Sequence, residues 1–482
     1  MSSPRSEAVR GVPAGAGILV LLAALHLFLL ARVDATAPEL GFYRERRWIA
    51  LGESLYRHGS YSLPGPDGAL APTLTVPPLW PAVIWLSYAA FDAGATAHRA
   101  LRALCVLTNL GVIALTWGIG RMLSPRVGVL AAILGALDLS SFFWATHFSV
   151  PDVPCGFFFT AALLLFFGLV RQTPAAPRGA APPSGAARLL LCGLFLGLAA
   201  WTKPQAGVLW VPLLLFLLVL LRFRQRCGAG TTLRAAAMLA LMPVLFILLW
   251  CTRNWLATGH FAYSSQFGRQ ALIWSGGYLT AYQEGIDFAE ASGRLLEQYT
   301  AGGRVEQMSE GERDAYYLAE GRKLIFASPV DYAWVVLRNT PPLLFGTCWP
   351  DFMWDAGERR RIAEIKARSG PSPPGFLTNA AFLAEAWRSG RHAFVTLYLF
   401  VKAHIAGVYL AALAGALLLS THAGGAWLTA GIVTIVAANT ALGSPASHDR
   451  YRYPVMPLVY VLAGRGVAGL LDASAKRLRA GG

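Results

Sequence analysis

Charge is scarce in this sequence: Asp, Glu, Lys and Arg make up 14% of 482 residues, where soluble globular chains carry about a quarter. Hydrophobic residues reach 55%, and the mean hydropathy is +0.48. A water-soluble domain of this length could not hide so much apolar surface, which excludes a single soluble enzyme. Cysteine is sparse too. The six present are scattered, no CxxC occurs, and Cys105, Cys155, Cys192 and Cys251 stand in apolar runs. That argues against a disulfide framework or a zinc site and leaves them as small packing residues. No GxxxxGK[ST] or HExxH segment occurs, and nothing resembles a DNA-binding module. An energy or group donor, if there is one, therefore belongs to the membrane.

What the chain has instead is a series of apolar runs of membrane-spanning length. They lie at Gly11–Ala31, Leu101–Gly120, Val127–Thr146, Val153–Val170, Leu189–Trp201, Gly207–Leu221, Ala235–Thr252, Phe394–Ser420, Gly425–Leu442 and Val455–Leu471, about ten spans. The tail Ala35-Thr36-Ala37 imitates a signal-peptidase site. The first run, however, exceeds a signal core of about 7–15 residues, which favours a retained helix.

Lys and Arg number 41 against 26 acids, a formal charge of +15 and a pI near 9.8. In a membrane protein this excess reads first as topology and affinity for lipid phosphates. Arg121, Arg126, Arg171, Arg178, Arg188, Arg222 to Arg226, Arg234 and Lys476 to Arg479 all fall on the side of the N-terminus. The positive-inside pattern puts that side, with both termini, in the cytoplasm, and richness in Ala, Arg and Gly suggests a bacterial gene and hence an inner membrane. Val76–Phe91, with Pro77, Pro78 and Pro81, and Tyr332–Pro350, with Arg338, Pro341 and Pro342, read as interfacial segments. The chain thus divides into a tail and first span (1–33), a first outer loop (34–97), spans two to seven (98–252), a large outer-face region (253–393), and three last spans with a basic tail (394–482). The large region should hold helices such as Glu310–Ala327 and Glu358–Arg368. The expected class is an all-α polytopic membrane protein.

Ionisable groups at membrane depth are costly, so each is a functional candidate. They gather at the outer boundary. Asp34, Glu39 and Glu45 precede Trp48 and Gly52-Glu53-Ser54-Leu55-Tyr56-Arg57-His58-Gly59. Asp152 opens the fourth span, as a helix cap, a catalytic carboxylate or both. Lys203 sits in the turn Trp201-Thr202-Lys203-Pro204, where a snorkelling lysine would run against the charge bias. Arg253-Asn254 and the segment His448-Asp449-Arg450-Tyr451-Arg452-Tyr453-Pro454 complete the set. Their arginines can grip a phosphate with paired hydrogen bonds or tie loops together. Trp48, Tyr56 and Tyr61 suit sugar stacking, lipid contact or plain interfacial anchoring.

The order of these clusters resembles the GT-C superfamily of polytopic glycosyltransferases, in particular its family-39 branch of protein O-mannosyltransferases and lipid A aminoarabinose transferases. The resemblance runs over nearly the whole chain. It rests on Glu45–Gly59 with Tyr61-Ser62, Pro77-Pro78-Leu79-Trp80-Pro81, Asp152 and Gly197-Leu198-Ala199-Ala200-Trp201-Thr202-Lys203. It continues through Arg253-Asn254 with Gly259, Ser328-Pro329, and Arg450-Tyr451-Arg452-Tyr453-Pro454 with Pro457. One departure stands out. The family has an Asp-Glu pair ahead of a tyrosine in the first loop, and alignment on Gly59 puts Arg44-Glu45 and Trp48 there.

The resemblance implies a GT-C fold and transfer of a sugar from a polyprenyl-phosphate donor to a hydroxyl of a protein, lipid or glycan at the outer, periplasmic face. Displacement would invert the anomeric centre. Glu45, Glu39, Asp34 or Asp152 would act as general base, with Lys203, Arg253, Arg450 and Arg452 around the donor phosphate. Asn254, Trp48, Tyr61, His448 and Tyr451 are further substrate-site candidates. Some GT-C enzymes use a divalent metal, for which Asp152 is a candidate ligand here; no other cofactor is implied, and nucleic acid is not an expected partner. A transporter or flippase would instead carry charges deep in its spans and similar halves. An inactive lipid- or glycan-binding scaffold of the same fold is the third alternative.

Overall fold

Each apolar run between residues 101 and 471 is helical, with Val127–Thr146 divided between two helices. The computed structural model describes residues 17, 20–28, 45–65, 68–147, 150–172, 185–301, 303–346, 361, 364–365, 380–421, 423–443 and 449–480. Asp34, Glu39, His448 and most of the helix expected over 358–368 lie outside the described residues. Glu45 is described by its backbone alone.

The first loop begins with α1 (Glu45–His58), a hairpin of β1 (Ser62–Pro64) and β2 (Leu70–Pro72), and α2 (Leu79–Phe91). The hairpin pairs antiparallel, with Leu63 opposite Ala71. Trp48 and Leu51 of α1 pack on Trp80 and Ile84 of α2. This places α2, a helix of 13 residues, as the expected short segment rather than a span.

There follow α3 (Ala95–Arg121), α4 (Pro125–Ala136), α5 (Leu139–His147), α6 (Asp152–Gln172), α7 (Ala186–Thr202), α8 (Ala206–Val219, running into a π-turn to Arg224) and α9 (Ala229–Thr258). The loop region contributes α10 (Gln266–Arg269, running into a π-turn over Gln270–Gly276), α11 (Gly277–Glu284), α12 (Phe288–Thr300), α13 (Glu310–Ala327), α14 (Pro329–Phe345) and α15 (Ala380–Arg388). The chain ends with α16 (His392–Ser420), α17 (Ala423–Gly443), a 3-10 run (Asp449–Val455) and α18 (Met456–Ala480). Among the described residues, seven helices are long and apolar enough to cross a membrane, or eight if α4 and α5 form one bent span. The helix expected over Glu310–Ala327 has those bounds, opened by a capping box between Ser309 and Glu312.

The straight span expected over Val127–Thr146 is broken by 57° between α4 and α5. Asp138 at the break explains it. Its carboxylate accepts from the Ser140 backbone N–H (3.0 Å), the Ser141 hydroxyl (2.8 Å) and the Tyr460 hydroxyl (2.5 Å). It thereby starts a new helix at Leu139. Lys402 and His404 of α16 are likewise bound to carbonyls, of Phe345 (2.7 Å) and Leu134 (3.1 Å).

Phe159, Leu163 and Phe166 of α6, Leu196 of α7, Leu213 of α8, Leu239 of α9 and Leu458 of α18 form one continuous core. In lipid the apolar effect does not drive helices together, so close packing must. α16 and α18 cross at Gly415 and Gly466, where a Cβ on Gly466 would stand 2.0 Å from the Ala411 carbonyl oxygen. The run Gly464-Arg465-Gly466-Val467-Ala468-Gly469 has the spacing of a dinucleotide fingerprint, but it lies inside α18 and serves this packing.

Candidate functional site

Two antiparallel helices set the site. Pro151 precedes Asp152, the first residue of α6, where the helix dipole favours an acid. Pro204 forces Lys203 into an extended conformation, φ −147° and ψ 136°, and so ends α7. Because α6 and α7 pack side by side, the N-terminal end of one lies beside the C-terminal end of the other. Lys203 Nζ meets Asp152 Oδ1 at 2.5 Å. The pair is buried, with 10% and 4% of the side chains exposed. A pair held this far from water is kept together by the cost of separating either charge.

Neighbouring contacts fix the turn. Trp201 Nε1 donates to the Phe246 carbonyl at 2.6 Å, and the Tyr263 hydroxyl donates to the Ala200 carbonyl. Gln205 Nε2 donates to Asn439 Oδ1 (2.9 Å), whose Nδ2 donates to the Tyr451 carbonyl (2.8 Å). Three separate segments are thus joined by side-chain amides. The Lys203 ammonium lies 4.7 Å from the centre of the Tyr451 ring, and the Arg450 guanidinium 5.1 Å from it.

These groups open on a cavity of about 350 Å³, within the range of small-ligand sites. α1 supplies Arg47 and Trp48; the α6 and α7 ends supply Asp152 and Lys203; α8 supplies Val208, and α17 Leu442. The 3-10 run supplies Arg450 and Tyr451. The last wall comes from the loop region: Ser265, Gln266, Phe267, Arg269, Gln270 and Trp274. Among the described lining residues, Arg47, Lys203, Arg269 and Arg450 face a single carboxylate, Asp152. The lining is net cationic, with the apolar side chains of Val208, Phe267 and Leu442 beside the charges. Among the described residues no three His, Cys, Asp or Glu side chains come together, and Asp152 is ion-paired.

Of the residues expected from sequence, the structure brings Asp152, Lys203, Arg450, Tyr451 and Trp48 to this cavity. Others are placed elsewhere. Arg253 donates to the carbonyls of Thr73 (2.8 Å) and Tyr61 (3.1 Å), tying α9 to the first-loop hairpin. Asn254 donates to the Ala262 carbonyl at 2.7 Å. Arg452 donates to the carbonyls of Leu344 (2.5 Å) and Gly346 (3.0 Å), capping the C-terminal end of α14 together with Lys402. The Tyr61 hydroxyl donates to the Val76 carbonyl at 2.8 Å, and burial raises its pKa well above the usual value. Tyr56 donates to Asp92 at 3.1 Å. Arg253, Asn254, Arg452 and Tyr61 make these hydrogen bonds and are not among the residues that line the cavity. The carbonyls that Arg253 and Arg452 bind are distant in sequence and cannot be seen in a linear pattern.

The loop-region wall was missed altogether. Its one linear signal is helical spacing: Gln266, Arg269 and Gln270 share a face. That wall hangs on α13. Glu310 accepts from the hydroxyls of Thr73 (2.7 Å), Thr75 (2.5 Å) and Ser265, and from the Leu74 N–H (3.2 Å). One turn on, Asp314 accepts from the Gly268 N–H at 2.7 Å. Burial pushes its carboxyl up to about 6, against the opposing pull of the Gly268 and Arg269 backbone bonds. Only glycine fits at 268, where a Cβ would stand 2.0 Å from the Asp314 carbonyl oxygen.

Glu310→Ala should therefore release both the first loop and the cavity wall. Bonds to a charged acceptor are worth about 1.5–3 kcal/mol each. The expected result is faster proteolytic cleavage near Ser265 and a lower melting temperature, with Glu310→Gln intermediate.

The chain has the GT-C fold of polytopic membrane glycosyltransferases, matching the expectation from sequence. Residues 75–250 match the family described as dolichyl-phosphate-mannose-protein mannosyltransferase. The structure is similar to the oligosaccharyltransferase of Archaeoglobus fulgidus in its apo form, with a TM-score of 0.52 and 14% identity, over 96% of this chain and 52% of that one. It is also similar to the same organism's AglB in complex with an inhibitory peptide and a dolichol-phosphate (TM-score 0.50, 13% identity, 95% and 50% covered). The chain thus spans about half the length of these structures. ArnT from Cupriavidus metallidurans bound to undecaprenyl phosphate superposes with a TM-score of 0.36 at 15% identity, over 94% of this chain and 78% of that one; at that score it adds nothing to the assignment of fold. No curated protein sequence matches the chain.

Proposed function

We propose that the protein transfers a sugar from a polyprenyl-phosphate donor to a hydroxyl acceptor at the periplasmic face of a bacterial inner membrane. The observation that carries this reading is the meeting of Asp152, Lys203, Arg450 and Tyr451, far apart in sequence, at one cationic cavity. The dolichol-phosphate bound by the archaeal enzyme of the same fold supports a lipid-phosphate ligand.

In this mechanism the donor's tail stays in lipid beside Val208 and Leu442, and its phosphate lies against Lys203 and Arg450. The acceptor oxygen attacks the anomeric carbon from the face opposite the phosphate. The carbon–oxygen bond to phosphate breaks, its electron pair stays on the phosphate, and the configuration inverts. Lys203 and Arg450 stabilise the charge that grows there; one such donor is typically worth about 10²–10³ in rate. A carboxylate takes the acceptor's proton, worth about 10²–10⁴. We assign this to Asp152, held by Lys203, with Glu45 at the head of α1 as the second acid.

The test is transfer by purified protein from radiolabelled polyprenyl-phosphate sugars to an envelope extract. The expected outcome is wild-type turnover with at least one donor, inverted product, and loss of turnover in Asp152→Asn with donor binding retained. No turnover with any donor would leave a binding scaffold or a transporter as the better reading.

A further inference from the structure

Resting on that reading of the cavity, the geometry points to Trp274 as the platform on which the donor's sugar ring stacks, with Gln270 beside it to bind ring hydroxyls. Pyranose rings carry an apolar face of C–H groups as well as hydroxyls. A site that holds one therefore needs a fixed aromatic plane and amide or charged groups at its edge. Aromatic residues from several walls line this cavity. Tyr451 already has Lys203 at 4.7 Å and Arg450 at 5.1 Å from its ring centre. Trp48 is 7% exposed and belongs to the α1–α2 core. Trp274 is half-buried and lines the cavity from the same helical run as Gln266 and Gln270.

Its plane is set from behind. Phe288, at the start of α12, stacks on Trp274 (5.2 Å between centres, 23° between planes) and on Tyr278 (4.1 Å, 19°). The stack needs a glycine: a Cβ on Gly277 would come 3.1 Å from Phe288 Cε2. The helix is also re-phased there. Gln270–Gly276 is a π-turn, a rare irregularity found frequently at functional sites. The Phe288 stack thus fixes the orientation of the Trp274 ring. Phe288 and Tyr278 are positioning residues behind it.

The experiment measures binding of undecaprenyl phosphate and of its glucosyl, mannosyl, galactosyl and arabinosyl phosphodiesters to detergent-solubilised wild type, Trp274→Ala, Trp274→Leu and Trp274→Phe. Wild type should bind its preferred sugar-bearing lipid more tightly than undecaprenyl phosphate. Trp274→Ala and Trp274→Leu should weaken the sugar-bearing lipid by about tenfold or more and leave undecaprenyl phosphate unchanged, while Trp274→Phe restores most of the difference. Equal affinity of Trp274→Leu and Trp274→Phe for the sugar-bearing lipid, with undecaprenyl phosphate bound normally, overturns the platform and spares the phosphate site. Should Trp274→Ala bind neither lipid, the Leu and Phe comparison decides. Failure of wild type to bind any of these lipids would instead overturn the reading of the cavity itself.

Discussion

Lys203→Ala is expected to reduce sugar transfer by about 10²–10³ or more. Its ammonium is the cation that both touches Asp152 (2.5 Å) and lies over Tyr451 (4.7 Å). Removing it takes a positive charge from the phosphate and leaves a buried carboxylate alone. The second effect destabilises the fold as well, since breaking a buried pair on one side costs about 3–5 kcal/mol. The two consequences separate in the double variant Lys203→Met, Asp152→Asn, which has no buried charge to strand. Its melting temperature should lie near that of wild type while its transfer stays absent. A double variant with substantial transfer would show that the pair is structural only.

The largest effect on folding is expected at a place far from chemistry. Gly466→Val puts a branched side chain where a single Cβ already stands 2.0 Å from the Ala411 carbonyl oxygen. Backbone cannot give way as a flexible side chain can, so α16 and α18 must separate. Overpacking a core costs about 1–3 kcal/mol even when side chains yield. Here the expected result is loss of monodisperse protein on size-exclusion chromatography. Gly407→Val on the same α16 is the control, because a Cβ there meets nothing within 4 Å. Equal yields from the two variants would contradict the packing argument.

The contrast between those glycines also shows what the sequence could and could not reveal. Apolar runs marked the spans because lipid contact is a property of composition. The bend at Asp138 was not legible, since it depends on Tyr460, which reaches that carboxylate from the far end of the chain. Asp152 and Lys203 were legible as a pair of oddities: a lone acid opening one span and a lone base closing the next. Arg253 and Arg452 looked alike in sequence, but their partners are carbonyls of Thr73, Tyr61, Leu344 and Gly346. Residue type alone does not separate an arginine that holds a phosphate from one that caps a helix. Gln266, Arg269, Gln270 and Trp274 sit in an ordinary polar stretch. Only the grip of Glu310 and Asp314 on Ser265 and Gly268 turns that stretch into a cavity wall.

The central claim is that an anionic lipid head group lies against Lys203 and Arg450. It is tested most directly by photocrosslinking the full-length protein in membranes with a polyprenyl phosphate whose reactive group is next to the phosphate, followed by peptide mapping. The account predicts labelling of the peptides that contain Lys203–Val208 and Arg450–Tyr451, competed by unmodified polyprenyl phosphate and lost in Lys203→Ala. Labelling confined to other segments, or undiminished in that variant, would contradict it.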